Sequence, residues 1–182
     1  MIIVTDNCFG TNYMKALNKP YESPFFSMFI MSPDYINLLE HFDVFMKVKP
    51  VSQEPSGKTR YYNKRVRKYP VLLLKTKFGE VEIHMAHEKQ SPEEAIKKWE
   101  KRKSRMNMDK KDIFVKMDDR DKFTKDIGMR FLSLKQFPHK RLFVSQKWKK
   151  DFQGLKNVTI TDYKSSGPIG TTLEKKFPVL AR

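Results

Sequence analysis

Cysteine is almost absent from this chain: Cys8 is the single one in 182 residues. That excludes an internal disulfide framework and argues against a zinc site built on thiolates. Long apolar runs are missing too. None approaches the ~20 residues that a membrane-spanning helix needs, and the apolar opening from Met1 to Asp6 is too short for a secretory h-region and has no basic flank. The cytoplasm is therefore the expected compartment. Glycine is sparse, with seven residues. No G-x-S-x-G, P-loop or G-x-G-x-x-G occurs, so the ready-made hydrolase, NTPase and dinucleotide readings lack support. Acidic residues are in deficit, 21 against 37 Lys and Arg, for a formal charge of +16. Such a field favours anions: nucleic acid, phosphorylated sugars, acidic glycans or the anionic inner face of a membrane. A Lys-rich surface that only keeps the protein in solution is the plainer alternative.

What is present describes one packed domain. Hydrophobic residues make up 39% and aromatic residues 13%, a content that disordered chains lack, and the length suits a single core. Ile2 to Thr5 reads as a buried strand, followed by a polar loop and a short helix from Thr11 to Leu17. Phe25 to Met31 is a strand or a short buried segment. Ser32 and Pro33 read as an N-cap and first helical residue. Val71 to Leu74 and Val81 to Ala86 flank the short turn Lys77 to Glu80, as a hairpin would. Ser91-Pro92-Glu93-Glu94 starts a helix whose buried stripe is Ala95, Ile96, Trp99 and Met106. Further strands fall at Ile113 to Val115, Leu142 to Val144 and Val158 to Ile160, with a mostly helical stretch from Asp121 to Leu134. Strands alternating with helices predict an α/β fold: a Rossmann-like layered domain, 1–182, with a largely parallel sheet and at least one hairpin. From about 50 to 68 the chain is loop-like and basic, with Lys58, Arg60, Lys64, Arg65, Arg67 and Lys68 and no acid among them. This segment is expected to be mobile. Its interleaved Tyr61, Tyr62 and Tyr69 give the nucleic-acid reading its best support.

Ligands of open α/β sheets bind beyond the carboxyl ends of the strands. Applied here, that rule collects Asp6, Asn7 and Cys8; His84 and His87; Lys116, Asp118 and Asp119; and Ser145, Gln146 and Lys147. Ordinary polar loop residues are the alternative for each. His84 and His87 fall on opposite faces of a strand, which suits a core histidine better than a metal pair. Asp119-Arg120-Asp121 is a D-x-D, a pattern that can hold a divalent ion against a diphosphate, but Asp121 doubles as a helix cap. Cys8 is either a nucleophile or a buried packing residue. Arg102 and Arg105 line one edge of the Ser91 helix, either to meet anions or as a solvated face. We expect Asn7, Cys8, His87, Arg102 and Arg105 to share one anion-binding cleft. That requires the Val81 strand to run parallel to the first, and the arginines lie ~15–20 Å along a helix leading away.

Several blocks together resemble a known family. Ile3-Val4-Thr5-Asp6-Asn7-Cys8-Phe9-Gly10 with Tyr21-Glu22-Ser23-Pro24 resembles the I-S-N-N-C-W-G-G … Y-x-S-P-T opening of the DUF1919 family. Gly79 to His87 is similar to its G-D-I-x-I-x-F-L-H segment. Ser91 to Ala95, Lys98 to Arg102 and Arg105 to Asn107 resemble S-x-E-E-A-x-x-K-W-x-R-R-x-x-R-I-N. The likeness weakens after about Ser145. Phe9 and Thr11 stand where the family has Trp and Gly, and Lys101 replaces the first Arg of its pair. The resemblance implies a Rossmann-like α/β domain in a bacterial protein of exopolysaccharide biosynthesis. The leading expectation is thus a glycosyltransferase-like transferase using a nucleotide-sugar donor, with His87, Asn7 and Cys8 as catalytic candidates. Asp6, Arg102, Arg105, Ser145 and Lys147 are the candidates for binding substrate or anion. No metal ligand is assigned, and the expected partner is an anionic small molecule or glycan. The alternatives are a nucleic-acid-binding module and a non-catalytic subunit of a polysaccharide-synthesis complex.

Overall fold

The computed structural model describes residues 2–11, 14, 18, 21–53, 59–61, 69–86 and 90–162. Two four-stranded sheets organise them. The first is wholly parallel and contains β1 (Ile2–Thr5), β6 (Ile113–Asp118), β7 (His139–Ser145) and β8 (Val158–Thr161), in that spatial order. The second is antiparallel, in the order β2 (Phe29–Ile30), β5 (Gly79–His84), β4 (Val71–Thr76) and β3 (Val51–Gln53). The expected hairpin is present as β4 and β5, paired from Thr76 and Gly79 through to Val71 and His84. The expected parallel sheet is present as well. Its first crossover, from β1 to β6, holds the whole antiparallel sheet.

Alternation explains how the layers meet. Ile2 and Val4 of β1, Ile113, Val115 and Met117 of β6, and Leu142 and Val144 of β7 all enter the larger core. So do Ile30, Leu72, Leu74, Val81 and Ile83 of the other sheet. Ile3, Phe114 and Phe143 point the other way, into a smaller cluster with Phe9, Met14 and Phe26. Gly10 closes the turn after Phe9 at φ +88°, where a Cβ would meet Ile3 and Phe26 at 3.0 Å.

Helices fill the remaining faces. α1 (Ser32–Glu40) packs against β5 and runs into the short α2 (Phe42–Phe45). α3 (Pro92–Lys103) lies on β3 and β4 and buries Ala95 and Trp99. Its Ser91 cap accepts from Glu94 N while Glu94 reaches back to Ser91 N, the full reciprocal capping box expected from the sequence. α4 (Lys125–Ser133) and α5 (Lys149–Phe152) follow β6 and β7.

Two expected caps fall elsewhere. The cap of α1 is Met31, because the Ser32 hydroxyl donates to Arg120 O at 2.8 Å instead. Thr124, not Asp121, caps α4, accepting from Ile127 N at 3.3 Å, while Asp121 and Lys122 take positive φ in the preceding turn. The expected helix from Thr11 lies mostly outside the described residues, as does most of the basic segment. Its described parts are 50–53, where Val51–Gln53 form β3 instead of the expected loop, and Thr59 to Tyr61. The Arg60 guanidinium donates to Asp34 at 2.5 Å, the Tyr61 hydroxyl also donates to Asp34, and Arg60 N donates to Glu82 at 2.8 Å. This Arg–Tyr pair faces the protein's own carboxylates.

Candidate functional site

Parallel pairing sets all four carboxyl ends at one edge. Thr5 lies beside Lys116, Asp118 beside Phe143, and Ser145 beside Thr161. Beyond Thr5 the chain places Asp6 and Asn7 against the end of β6, and there the side chains form a closed charge cluster. Lys116, with no exposed surface, donates to Asp6 at 3.0 Å, Asn7 Oδ1 at 3.1 Å and Asp118 at 2.6 Å. The Asn7 amide donates to Asp118 at 2.7 Å, and its Oδ1 also accepts from Phe9 N. Asp118 N donates to the second Asp6 oxygen at 3.0 Å. Arg120 closes the cluster, donating to Asp118 through Nε and Nη2 at 3.1 Å each.

Two cations thus meet two carboxylates; Lys116, Asp6 and Asp118 are shut away from water while Arg120 reaches the surface, so small differences in partners decide their protonation. Burial, then the charge of Asp118, pushes Asp6 up to about 7, against the pull of Lys116. Burial alone would raise Asp118 as well, but Lys116 and Arg120 outweigh it and hold this carboxyl below the usual range. Burial disfavours the Arg120 cation, and Asp118 overcomes that and raises its pKa. Tyr35, buried beneath the cluster with its hydroxyl donating to Val4 O at 3.0 Å, is pushed well above its ordinary value by burial and then by Asp6 and Asp118. Asp118 is the ionised partner and Asp6 the proton-accepting one.

Beside this cluster, over the ends of β7 and β8, a cleft of about 440 Å³ is lined by Asp119, Ser145, Gln146, Lys147, Trp148, Thr161 and Asp162. Its volume falls in the range of small-molecule sites. Asp119 accepts from Ser145 N at 2.9 Å and Ser145 Oγ at 2.5 Å, and Gln146 donates to Asp162 at 2.7 Å. Trp148 is held edgewise by Phe123 at 5.3 Å, with the Lys147 ammonium 5.0 Å from the indole centroid. The D-x-D residues part company here: Asp119 goes to the cleft, Arg120 to Asp118, and Asp121 to the turn.

The sequence-derived candidates are distributed as follows. Asp6 and Asn7 belong to the charge cluster, and Ser145 and Lys147 to the cleft. The Cys8 thiol, half-buried, lies 3.8 Å from Met28 O. His87 falls outside the described residues. The strand leading to it, β5, lies in the antiparallel sheet, so the parallel arrangement required for its delivery does not hold. β2 supplies another link, since Ile30 N donates to Asp6 O at 2.8 Å while Phe29 pairs with His84. His84 is the core histidine: fully buried, stacked on Phe29 at 4.5 Å, with Glu82 3.5 Å from Nε2. Arg102 is no solvated face residue. It is buried and donates to Phe26 O at 2.8 Å, and Arg105 donates to Tyr21 O at 3.4 Å. The end of α3 therefore rests on the segment that leads through Met28 to the carboxyl edge. Sequence reasoning missed Arg120, read only as the middle of the D-x-D, and Trp148, Thr161 and Asp162 of the cleft.

Among the described residues, no helix is long and apolar enough to cross a membrane. An uncharacterized protein of Haemophilus influenzae is 32% identical over 130 residues, covering 71% of this chain and 55% of the relative. The chain thus spans about half the length of that relative. The family model for DUF1919, a domain of unknown function, matches residues 1–176, and the chain belongs to that family.

Proposed function

We propose that this protein is a transferase of bacterial surface-polysaccharide assembly that binds a nucleotide- or phosphate-linked sugar at the carboxyl edge of its parallel sheet. The observation that carries the reading is the cleft beside the buried charge cluster, where carboxylates, an indole and an ammonium converge. Each suits one part of such a ligand. Asp119 and Asp162 accept from sugar hydroxyls, the Trp148 ring offers an apolar face to the pyranose, and Lys147 neutralises phosphate. Asp119 is fixed by Ser145 and is the candidate base for the acceptor hydroxyl. As that oxygen bonds to the anomeric carbon, the carboxylate takes its proton and the phosphate departs with the electrons of the broken C–O bond. Asp6, Asn7, Lys116, Asp118 and Arg120 set the position of the 118–120 turn and are positioning residues. The net charge of +16 draws phosphorylated substrates toward the molecule.

Calorimetric titration with uridine-diphosphate sugars at low salt tests this. Lys147→Ala and Asp119→Asn should each weaken binding roughly tenfold, the order expected for one charge-assisted contact. Failure of every nucleotide sugar to bind, with tight and salt-sensitive binding to single-stranded RNA or DNA, would replace this reading with the nucleic-acid one.

A further inference from the structure

The turn of the β4–β5 hairpin carries a residue that neither the turn nor the core requires. Gly79, at φ +106°, takes the left-handed position, and Lys77 and Phe78 fill the rest of the turn. Small polar residues are the usual choice there. Phe78, a large apolar side chain, instead leaves 38% of its surface exposed. Its backbone is fixed on both sides: Phe78 N donates to Thr76 Oγ1 at 3.1 Å, and the Asn37 amide donates to Phe78 O at 3.1 Å. The ring lies flat on the His41 imidazole, with centroids 3.7 Å apart and planes 2° from parallel, and the Lys77 ammonium is 5.2 Å from its centroid. One ring face is therefore covered, and the outer edge is what projects.

Register shows what surrounds it. Val51 pairs with Leu73 in antiparallel sense, so the chain entering β3 comes from the tip side and brings Lys47 and Lys49 there. That same chain starts at His41, on Phe78, and runs through α2, which packs on β4. Lys47, Lys49, Lys75 and Lys77 are all exposed. Each carboxylate of α1, α2 and the hairpin is already engaged by a cation: Asp34 and Glu82 by Arg60, Glu40 by Arg130, Asp43 by Lys110, and Glu80 by Lys75. Lys47, Lys49 and Lys77 are left as the surplus charge of these elements.

We infer that the hairpin tip is a docking surface for an anionic lipid bilayer, with Phe78 entering the headgroup layer and Lys47, Lys49 and Lys77 meeting lipid phosphates. An aromatic ring flanked by lysines is the composition that lies at such a boundary. A nucleic-acid base would need the ring face that His41 holds. Lysines suit diffuse attraction to many headgroups, whereas forked recognition of one phosphate calls for arginine. The nine residues of α1, roughly 14 Å of helix, separate this tip from the 118–121 turn, where Ser32 N bonds Asp121 O. Docking there leaves the cleft open, and the inference does not depend on what the cleft binds.

Flotation of the full chain with vesicles tests this. At low salt the wild type should float with equal parts phosphatidylglycerol and phosphatidylcholine, and stay behind with phosphatidylcholine alone. Lys49→Gln combined with Lys77→Gln should weaken partitioning about twentyfold, from roughly fivefold per lysine near an anionic surface. Phe78→Ser should weaken it about tenfold without changing its salt dependence. Lys149→Gln with Lys150→Gln removes the same charge from α5 and should leave partitioning nearly intact. Phe78→Trp should be quenched by brominated acyl chains beyond the level of the wild type. Should Phe78→Ser melt early through loss of the His41 stack, the lysine pair and Phe78→Trp, which keep an aromatic ring, decide the matter. No flotation of the wild type, equal flotation with neutral vesicles, equal loss on removing the α5 lysines, or no added quenching in Phe78→Trp would each overturn the inference. Tip-dependent binding to single-stranded RNA without vesicle binding would overturn it too and assign the surface to nucleic acid.

Discussion

Replacing Lys116 by Met is the sharpest perturbation the charge cluster permits. Methionine fills nearly the same length of side chain, so the loss is electrostatic and no large cavity opens. The ammonium removed serves Asp6, Asn7 and Asp118 at 3.0, 3.1 and 2.6 Å. Asp118 keeps Arg120 and the Asn7 amide and stays ionised. Asp6 keeps only the weaker support of Asp118 N and Thr5 Oγ among the described residues. Breaking a buried pair from one side costs about 3–5 kcal/mol. For a domain of this size 1 kcal/mol corresponds to roughly 2–4 °C, so melting should fall by roughly 6–20 °C at mildly alkaline pH. Lys116 holds the Asp6 pKa down, so its removal drives that pKa higher still. Acidification then neutralises the stranded carboxyl, and the deficit should shrink as pH falls. Thermal unfolding followed by circular dichroism across about pH 5 to 9 measures both effects. Asp6→Asn in the Lys116→Met background should recover part of the loss, as coupling between contacting residues requires. A variant that melts like wild type, or a deficit that stays constant with pH, would refute the account of Lys116 as counter-ion to a buried carboxylate.

Three further outcomes follow from the same structure. Asp6 is raised from an ordinary 3.8 to about 7, so the folded state holds a proton that the unfolded chain releases. Its stabilising contribution is complete below about 3.8 and lost as pH rises through 7; Asp6→Asn should remove that part of the melting-temperature slope. Trp99, buried and packed edge-on to Phe25 at 5.4 Å, is a core residue, and Trp99→Ala should cost about 3–5 kcal/mol in urea unfolding. Gly128→Ala sets a Cβ 2.6 Å from both Phe123 and Phe152, and these rings brace Trp148. The variant should lose about 1–3 kcal/mol and weaken ligand binding at the cleft.

The parallel strands were legible because apolar β-branched runs persist between polar breaks, and the hairpin because Lys77 to Glu80 leaves no room for a crossover. The division into two sheets was not legible. Val71 to Leu74 is buried throughout, and a strand covered on both faces reads the same whether its neighbours are parallel or antiparallel. That ambiguity is why His87 was assigned to the carboxyl edge. The end of β6 was cut short for a related reason. Reading Lys116 as the start of a loop is natural when charge signals solvent, yet Lys116, Met117 and Asp118 continue the strand in full burial. The local sequence shows the charges but not the counter-charges, which are supplied from Asp6, more than a hundred residues earlier.

Once the register is known, the position of the site follows from alternation alone. On the face that carries Ile3, Phe114 and Phe143, every strand of the parallel sheet is polar at its carboxyl end, with Thr5 on β1, Lys116 and Asp118 on β6, Ser145 on β7 and Thr161 on β8, though β7 and β8 are polar there already at Arg141 and Thr159. The opposite face stays apolar through Val4, Met117 and Val144. One-sided polarity at one edge is not what a packing requirement alone produces, because apolar residues at Lys116 and Asp118 would bury at lower desolvation cost. Retaining ions there fixes the 118–120 turn, and that turn places Asp119 in the cleft. The electrostatic cost falls on the elements that shape the proposed binding site, where strain and desolvation are expected to collect.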